Sequence, residues 1–317
     1  MLKKLLKKIS FLRKKRKIKL LQNLFKESDG VSLLDVGAAG NIMPRWVSVA
    51  RYLNYIGVEP DKRTNQELKN IYNCKSYELI ENILWNEETN LKFNLCRLPT
   101  NSSSYLPNKE FLDRFSDSKR FEVTSIENLK SSTLEKELSL LGRQVDFVKM
   151  DIQGGELNAL KGMGDYLNKC IGFELEVEFV EIYKNQPLFS DIDIFLKNKG
   201  FEFIDFVRLY RWERLDHRPP YGQCIFADGI WLKSPEDISR EGIEVYKKYI
   251  SICSIYGRFD LIMKLLEIKN LDLSDNYISS INKLIRLQKI ERKTNKTYNK
   301  ILRFLTGDFE TESHLVY

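Results

Sequence analysis

Two acidic residues and two glycines in the first fifth of the chain have the spacing of a nucleoside-binding site. The run LLDVGAAGN contains Asp35, Gly37 and Gly40, and the later run YIGVEPD contains Glu59. Glycine allows the backbone a sharp turn and a close approach to a ligand. A carboxylate at the end of a second strand can accept hydrogen bonds from ribose hydroxyls. These residues therefore predict a nucleoside site at the carboxyl edge of an open α/β sheet.

The spacing of the glycine loop indicates which nucleoside it binds. Dinucleotide loops usually read G-x-G-x-x-G and hold a pyrophosphate on backbone amides, whereas this loop reads D-x-G-x-x-G. An acid at the start of the loop repels phosphate and suits the ammonium and sulfonium charges of S-adenosylmethionine. The alternative is a tight turn that binds nothing. The residues predicted to bind the cofactor are Asp35, Gly37, Ala39, Gly40, Asn41, Glu59 and Pro60.

A second motif, KMDIQGGE at residues 149–156, closes the strongest buried-strand candidate, VDFVKMDI. Asp151 would lie at the carboxyl end of that strand, where open α/β sheets form their sites. A carboxylate at that position can contact a cofactor or act as a general base, so Asp151 is a candidate catalytic residue. Glu156 would enter the first turn of the next helix, where an acid interacts favourably with the helix dipole.

Acids also alternate along the strand candidate CIGFELEVEFV, at Glu174, Glu176 and Glu178. Because buried carboxylates need partners, this face predicts a substrate or metal site. The alternative is a structural ion-pair network with cations such as Arg208 and Arg211. Glu176 and Glu178 are therefore candidate catalytic residues, with Glu178 nearest the carboxyl end of the strand.

His217, in the loop DHRPPYG, is the fourth candidate catalytic residue because histidine titrates near neutral pH. The alternative is a surface histidine that contacts only solvent. A divalent metal is left undecided by the sequence. Asp151 with Glu176 or Glu178 could supply the oxygen ligands that suit Mg²⁺.

The elements that must position these residues alternate between strand and helix from Leu33 to about Lys233, which is typical of a doubly wound sheet. SYELIENILW predicts a third strand, NLKFNLC an added edge segment, and FEVTSIENL a short strand that runs into a helix. We expect a helix at about residues 62–70. FEFIDFVRLYRW and CIFADGIWL predict a closing antiparallel pair.

The two ends of the chain differ from this middle part. Residues 1–20 hold ten Lys and Arg and no acid, so in a chain of net charge +7 the other residues carry −3. Leucines interleave these cations at a helical period, which predicts a basic amphipathic helix. From Ser234 the pattern becomes largely helical. We therefore expect an N-terminal arm at residues 1–28, a catalytic domain at 29–233 and a helical extension at 234–317.

The basic arm predicts attachment to an anionic membrane surface through residues 1–20. The alternative is a helix that packs its apolar edge on the rest of the protein. Nucleic-acid binding is less favoured, because the remainder of the chain is net acidic. No apolar run reaches the ~20 residues that span a bilayer, and the five scattered cysteines are typical of reduced thiols. We expect a cytoplasmic protein that can lie on the inner face of the membrane; its oligomeric state is not indicated.

The chain resembles the FkbM family of S-adenosylmethionine-dependent methyltransferases over about residues 31–233. LLDVGAAGN, GVEPD, the serine-rich NSSSYLP, VDFVKMDIQGGELNALKGM, ELEVEFVEIYKNQPLFSDIDIFLKNKGFEFIDF and YGQCIFADGIWL carry the resemblance in this order. The family often has Glu where this chain has Gln153, so no carboxylate role is assigned there. The resemblance implies a class I methyltransferase fold, a Rossmann-like doubly wound sheet of seven strands. The basic arm and the helical C-terminal extension lie outside the resemblance.

The resemblance also implies O-methylation, most readily of a sugar hydroxyl on a glycan or glycolipid precursor. Three alternatives stay open: a small secondary metabolite as acceptor, an RNA-binding methyltransferase, and a non-catalytic protein that binds S-adenosylmethionine.

Overall fold

The computed structural model describes residues 2–38, 42–61, 73–214, 222–268 and 273–306, with side chains from residue 11 to residue 294 within these ranges. The chain divides into two compact units. One is formed by residues 30–237 and the other by residues 1–29 together with residues 238–317. The helix expected at residues 62–70 lies outside the described residues.

The strands of the larger unit, in chain order, are β1 (Val31–Val36), β2 (Leu53–Val58), β3 (Ser76–Ile80), β4 (Ile83–Leu84), β5 (Asn90–Cys96), β6 (Val123–Ser132), β7 (Phe147–Met150), β8 (Gly172–Glu178), β9 (Glu202–Trp212) and β10 (Gln223–Leu232). Seven of them form a central sheet in the order β3-β2-β1-β7-β8-β10-β9. All neighbours are parallel except β10, which is antiparallel to β8 and β9. This topology confirms the predicted α/β doubly wound fold and its closing antiparallel pair.

The remaining three strands form a second sheet in the order β4-β6-β5. We predicted NLKFNLC as an added edge segment of the sheet. It is instead β5 of the second sheet, because it pairs antiparallel with β6. SYELIENILW divides into β3 and β4, since the polar residues Glu81 and Asn82 interrupt its apolar pattern.

The prediction that FEVTSIENL runs into a helix is wrong. Its residues continue as the ten-residue strand β6, and the helix Leu134–Leu141 begins only after Thr133, whose side chain caps it by accepting a hydrogen bond from the Lys136 amide.

Alternation along the strands places one hydrophobic cluster of the larger unit on one face of the central sheet. Leu34, Val36, Val148 and Met150 are buried there with Phe173. The helices of this unit flank the strands at Pro44–Val47, Lys109–Leu112, Leu134–Leu141, Glu156–Lys161, Asp165–Lys169 and Phe189–Lys197. On the other strand face the residues at the same ends are Asp35, Lys149 and Glu176, all of them buried. The sheet therefore presents these polar groups at the carboxyl ends of its strands, on the face opposite this cluster.

The smaller unit is helical. Its helices are Leu2–Glu27, Ile243–Ile255, Phe259–Ile268 and Asp275–Thr306. The short helix Pro235–Ile238 lies at the boundary of the two units along the chain. Helix Leu2–Glu27 packs on Ile243–Ile255 and Asp275–Thr306, and its last turns bury Leu24 and Phe25 completely. Part of the predicted basic arm is thus a packed helix. Within the described residues, no helix combines the length and apolarity needed to cross a membrane.

Candidate active site

A cavity of ≈ 380 Å³ lies at the carboxyl ends of the central strands of the larger unit. Part of its lining comes from the ends of β1 and β2 and from the chain after β3, at Asp35, Gly37, Glu59, Pro60, Asn82 and Trp85. The rest comes from the serine-rich loop, from the chain before β6 and from β7 onward, at Ser102, Arg120, Asp151, Gln153, Glu176 and Trp212. The cavity therefore joins the two motifs that the sequence singled out.

Asp35 is fixed at the end of β1 by two partners. Its Oδ2 accepts a hydrogen bond from the Tyr55 hydroxyl at 2.8 Å, and its Oδ1 lies 3.2 Å from Lys149 Nζ. Burial raises the pKa of the Asp35 carboxyl, although Lys149 and Tyr55 act in the opposite direction. Burial alone would lower the pKa of Lys149, but the carboxylates of Asp35 and Asp151 raise it above its ordinary value. The floor of the cavity thus holds a buried ion pair.

Gly37 follows in a conformation that favours glycine, with φ +77°. The amides of Gly37 and Ala38 both donate to the Val58 carbonyl at 3.0 Å. A Cβ at position 37 would lie only 1.9 Å from the backbone oxygen of Asp151. The glycine therefore lets the end of β1 touch the end of β7. Ala39, Gly40 and Asn41, which complete the predicted loop, lie outside the described residues.

Glu59 lies where the sequence predicted the ribose carboxylate, directly after β2. Its side chain is buried, and its Oε1 accepts a hydrogen bond from the Asp61 amide at 2.8 Å. Its own amide donates to the Ile80 carbonyl, which fixes it beside the end of β3. Pro60 follows it in the cavity lining. A carboxylate held at this edge can accept hydrogen bonds from ribose hydroxyls.

Asp151 lies in the cavity at the end of β7. Its side chain keeps 38% of its surface exposed, against 10% for Lys149. Lys149 Nζ lies 3.9 Å from Asp151 Oδ2, and Gln153 Nε2 donates to Asp151 Oδ1 at 3.0 Å. Of the acids on this part of the sheet, Asp151 therefore combines access from the cavity with a nearby cation.

Gln153 ties the catalytic candidates together, a role that the sequence did not reveal. Its Nε2 also donates to Glu176 Oε1 at 2.7 Å, so one amide group bridges two carboxyl groups. Its Oε1 accepts from the Tyr183 hydroxyl at 2.8 Å, and its backbone oxygen accepts from Ser103 Oγ at 2.7 Å. The residue adopts φ +57°, which is uncommon outside glycine. Four contacts therefore hold it in an unfavourable backbone conformation.

The three acids of β8 have different surroundings. Glu174 pairs with Arg45 at 3.1 Å, so the ion-pair alternative holds for this residue, with a partner other than Arg208 or Arg211. Glu176 faces the cavity. Burial, followed by the neighbouring acids Asp151 and Glu178, raises the pKa of Glu176 well above its ordinary value.

Glu178 and His217 are placed differently from the other candidates. Glu178 is fully buried and is not part of the cavity lining. Burial also raises its pKa, with Glu156 the next cause. His217 lies outside the described residues. Among the residues that the structure describes, no group of three or more acidic, histidine or cysteine side chains is arranged to hold a metal ion.

Comparisons with known proteins identify a family for this chain and several distant structural likenesses. The sequence matches the FkbM methyltransferase domain over residues 35–203. No curated protein matches the chain as a whole or in part. Among solved structures, magnesium protoporphyrin IX methyltransferase from Synechocystis PCC 6803, with bound S-adenosylmethionine, is 11% identical with a TM-score of 0.33. That match covers 70% of this chain and 81% of the other.

A second solved structure, a putative tRNA (m1A22) methyltransferase from Streptococcus pneumoniae, is 13% identical with a TM-score of 0.33 and covers 82% of this chain and 93% of its own. A third, an S-adenosylmethionine-dependent methyltransferase from Agrobacterium tumefaciens, is 10% identical with a TM-score of 0.31, over 68% of this chain and 62% of the other. These likenesses are distant.

The fold and the site define a class I methyltransferase that uses S-adenosylmethionine. The chain belongs to the FkbM methyltransferase family, whose domain spans residues 35–203 here. The residues present fit the cofactor. Gly37 brings the end of β1 against the end of β7 at the cavity, the buried Glu59 carboxylate can accept hydrogen bonds from ribose hydroxyls, and the acidic lining suits a sulfonium cation.

Proposed function

We propose that this methyltransferase acts on a sugar hydroxyl of a glycan or glycolipid precursor, with Asp151 as the general base. The observation that carries the proposal is the placement of the Asp151 carboxylate. It lines the cavity, remains accessible, and is held by Gln153 on one oxygen and faced by Lys149 on the other. A base must be within hydrogen-bond reach of the proton that it takes, and this position allows it.

The reaction divides into a methyl donor and a proton acceptor. When bound, S-adenosylmethionine supplies the methyl group: an acceptor oxygen–carbon bond forms as the carbon–sulfur bond breaks, and S-adenosylhomocysteine leaves. The hydroxyl proton goes to Asp151, which returns it to solvent through the exposed side of the carboxylate. Lys149 orients that carboxylate, and much of the rate enhancement comes from holding the two reacting atoms together.

Glu176 has a different role in this proposal. Its raised pKa keeps the carboxyl protonated at a higher pH than an ordinary glutamate. The Gln153 amide holds it beside Asp151, the candidate base. Glu176 then donates a hydrogen bond to the acceptor. Glu178 and His217 rank below both as catalytic candidates.

The aromatic wall of the cavity supports a sugar as acceptor. Tyr210, Trp212 and Phe226 line it with Phe121. Tyr210 and Phe226 are stacked, with ring centroids 4.2 Å apart and planes 10° apart. Flat aromatic surfaces beside a few directed polar groups suit a ring that has both an apolar face and hydroxyls.

Mass spectrometry of glycans and glycolipids tests the acceptor class. Cells that carry the intact gene should contain a methylated sugar that is absent from cells without it and from cells that carry Asp151→Asn. If the methyl group is lost instead from a small metabolite or from RNA, that class of molecule, and not a sugar, is the acceptor. Unchanged methylation in every fraction would favour the alternative of a non-catalytic protein that binds S-adenosylmethionine. Repeating the purified reaction with EDTA decides the metal dependence.

We also propose that the first turns of helix Leu2–Glu27 bind an anionic membrane surface, which would place the enzyme at the inner face of the membrane. Phe11 and Leu12 are 66% and 54% exposed, and Lys14, Lys15 and Arg16 beside them are exposed as well. Exposed apolar groups among cations are the surface that an anionic bilayer attracts.

Co-sedimentation with vesicles of anionic and of neutral lipid tests this surface. Binding to the anionic vesicles should weaken as salt rises, because charges are screened beyond about 8–10 Å at physiological ionic strength. A variant with Phe11 and Leu12 changed to Ser should lose binding without unfolding, because neither side chain is buried. The matched change Leu24→Ser removes a fully buried side chain and should unfold the helical unit. Equal binding to both kinds of vesicle would contradict the proposal.

A further inference from the structure

Among the described lining residues, Arg120 is the cation that lies on the aromatic wall of the cavity. Its guanidinium carbon lies 5.0 Å from the centroid of the Phe121 ring and 4.8 Å from that of the Trp212 ring. All three residues line the cavity. Two aromatic faces thus fix the plane of the guanidinium at the cavity surface.

The hydrogen-bonding capacity of Arg120 is largely unused within the described part of the chain. Its only ion pair there is with Asp117, at 3.6 Å, and Asp117 is itself 78% exposed. Its Nε is buried and has no hydrogen-bond partner among the described residues. An arginine has five N–H donors in a fork that fits the oxygens of a carboxylate or phosphate. Arg120 therefore has donors available for a ligand.

Lys149, the second basic residue of the described lining, is committed to other partners. Its Nζ lies 3.2 Å from Asp35 Oδ1 and 3.9 Å from Asp151 Oδ2. The same lining contains five acids, namely Asp35, Glu59, Asp61, Asp151 and Glu176. An anion that enters this cavity is repelled by most of it, and Arg120 offers the compensating charge.

We infer that the acceptor carries an anionic group, a phosphate or a carboxylate, and that Arg120 binds it while the acceptor ring packs on the aromatic wall. This inference rests on the proposed function, because it names the charge of the sugar that the enzyme methylates. Arg120 then determines which sugars are accepted, and it fixes the ring so that one hydroxyl faces Asp151.

Direct binding to the S-adenosylhomocysteine complex tests the inference. The probes are methyl glucoside, glucose 1-phosphate, glucuronate and inorganic phosphate, and calorimetry measures each. We expect both anionic sugars to bind at least tenfold more tightly than methyl glucoside. Arg120→Gln should weaken the anionic sugars by about 10- to 100-fold and leave methyl glucoside and S-adenosylhomocysteine unchanged. The anionic sugar that loses more affinity in Arg120→Gln shows whether Arg120 binds a phosphate or a carboxylate.

Two further variants separate recognition from folding. Arg120→Lys keeps the charge but loses the planar fork, so its affinity for anionic sugars should fall between wild type and Arg120→Gln. Arg97→Gln is the matched control, because Arg97 is 60% exposed, pairs with Glu122 and does not line the cavity. It should bind every probe as wild type does.

Other results overturn the inference in distinguishable ways. Equal affinity for neutral and anionic sugars, or an anionic preference that survives in Arg120→Gln, removes the anion site. Weaker S-adenosylhomocysteine binding in Arg120→Gln assigns the arginine to the cofactor carboxylate instead. If inorganic phosphate binds in an Arg120-dependent way while no sugar binds, the anion site stands and the sugar proposal fails. If no probe binds at all, the anion site is overturned.

Discussion

Replacing Gly37 with alanine should disturb the candidate base through the backbone. At Gly37 φ is +77°, and an added Cβ would lie 1.9 Å from the Asp151 backbone oxygen and 2.9 Å from its carbonyl carbon. Real Cβ contacts essentially never fall below 3.0 Å. One of the two strand ends must therefore move by about 1 Å, because close-packed atoms leave no other room.

The size of the effect follows from that displacement. A misplacement of about 1 Å in a catalytic arrangement can cost roughly 100-fold in rate. The left-handed conformation adds about 1–2 kcal/mol of strain for any residue with a Cβ. We expect Gly37→Ala to lower kcat about 100-fold. Its free energy of unfolding should fall by more than the about 1–2 kcal/mol of backbone strain.

Gly200→Ala is the matched control for this change. Gly200 has φ +83°, and nothing lies within 4 Å of a Cβ added there, so only the backbone strain applies. Urea unfolding of both variants and methyl transfer under saturating cofactor measure the two effects. Equal destabilisation of the variants, or a wild-type kcat in Gly37→Ala, would refute the reasoning.

Two other predictions concern cofactor binding and pH. Glu59→Ala should weaken S-adenosylhomocysteine binding by about 1–3 kcal/mol, because charge-assisted hydrogen bonds are lost from a buried site. Calorimetry measures the affinity, with a change at the exposed Glu110, Glu110→Ala, as the control. An unchanged affinity in Glu59→Ala would argue against a contact with the ribose. Burial raises the pKa of Asp228 to about 7, so the folded state binds a proton that the unfolded state releases near pH 4, and stability is lost as pH rises through 7. The Asp228→Asn variant does not lose this stability, because asparagine does not titrate. Urea unfolding should therefore show that the free energy of unfolding of the variant, minus that of the wild type, increases by about 2 kcal/mol from pH 5 to pH 8. A difference that does not change with pH would contradict the burial argument.

The sequence predicted those parts of the fold that depend on local pattern. The apolar run before the glycine loop forms β1, which ends at Val36 where the glycine turn begins. An acid that ends a buried apolar run indicates the edge of a sheet. The sequence therefore predicted the strand-end positions of Asp35, Glu59 and Asp151. The assignment of NLKFNLC failed because alternation identifies a strand but not its partner, and this strand pairs with β6.

The connections within the site could not be predicted, since they join residues far apart in the chain. Gln153 contacts Tyr183 and Glu176 only because β7 and β8 lie side by side. Lys149 could have been found, since it alternates with Asp151 on one strand and so points to the same face. Arg120 follows no period, and only its packing against Trp212 reveals it.

The most direct test of the catalytic proposal is the rate at which the Asp151→Asn variant methylates the acceptor that the wild-type enzyme uses. The change is nearly isosteric, and the asparagine carbonyl can still accept the hydrogen bond from Gln153 that now ends at Asp151 Oδ1. With S-adenosylhomocysteine affinity unchanged, we expect kcat to fall about 10²–10⁴-fold, while Glu178→Gln falls less. A folded Asp151→Asn enzyme with near-normal kcat would contradict the assignment of Asp151 as the base.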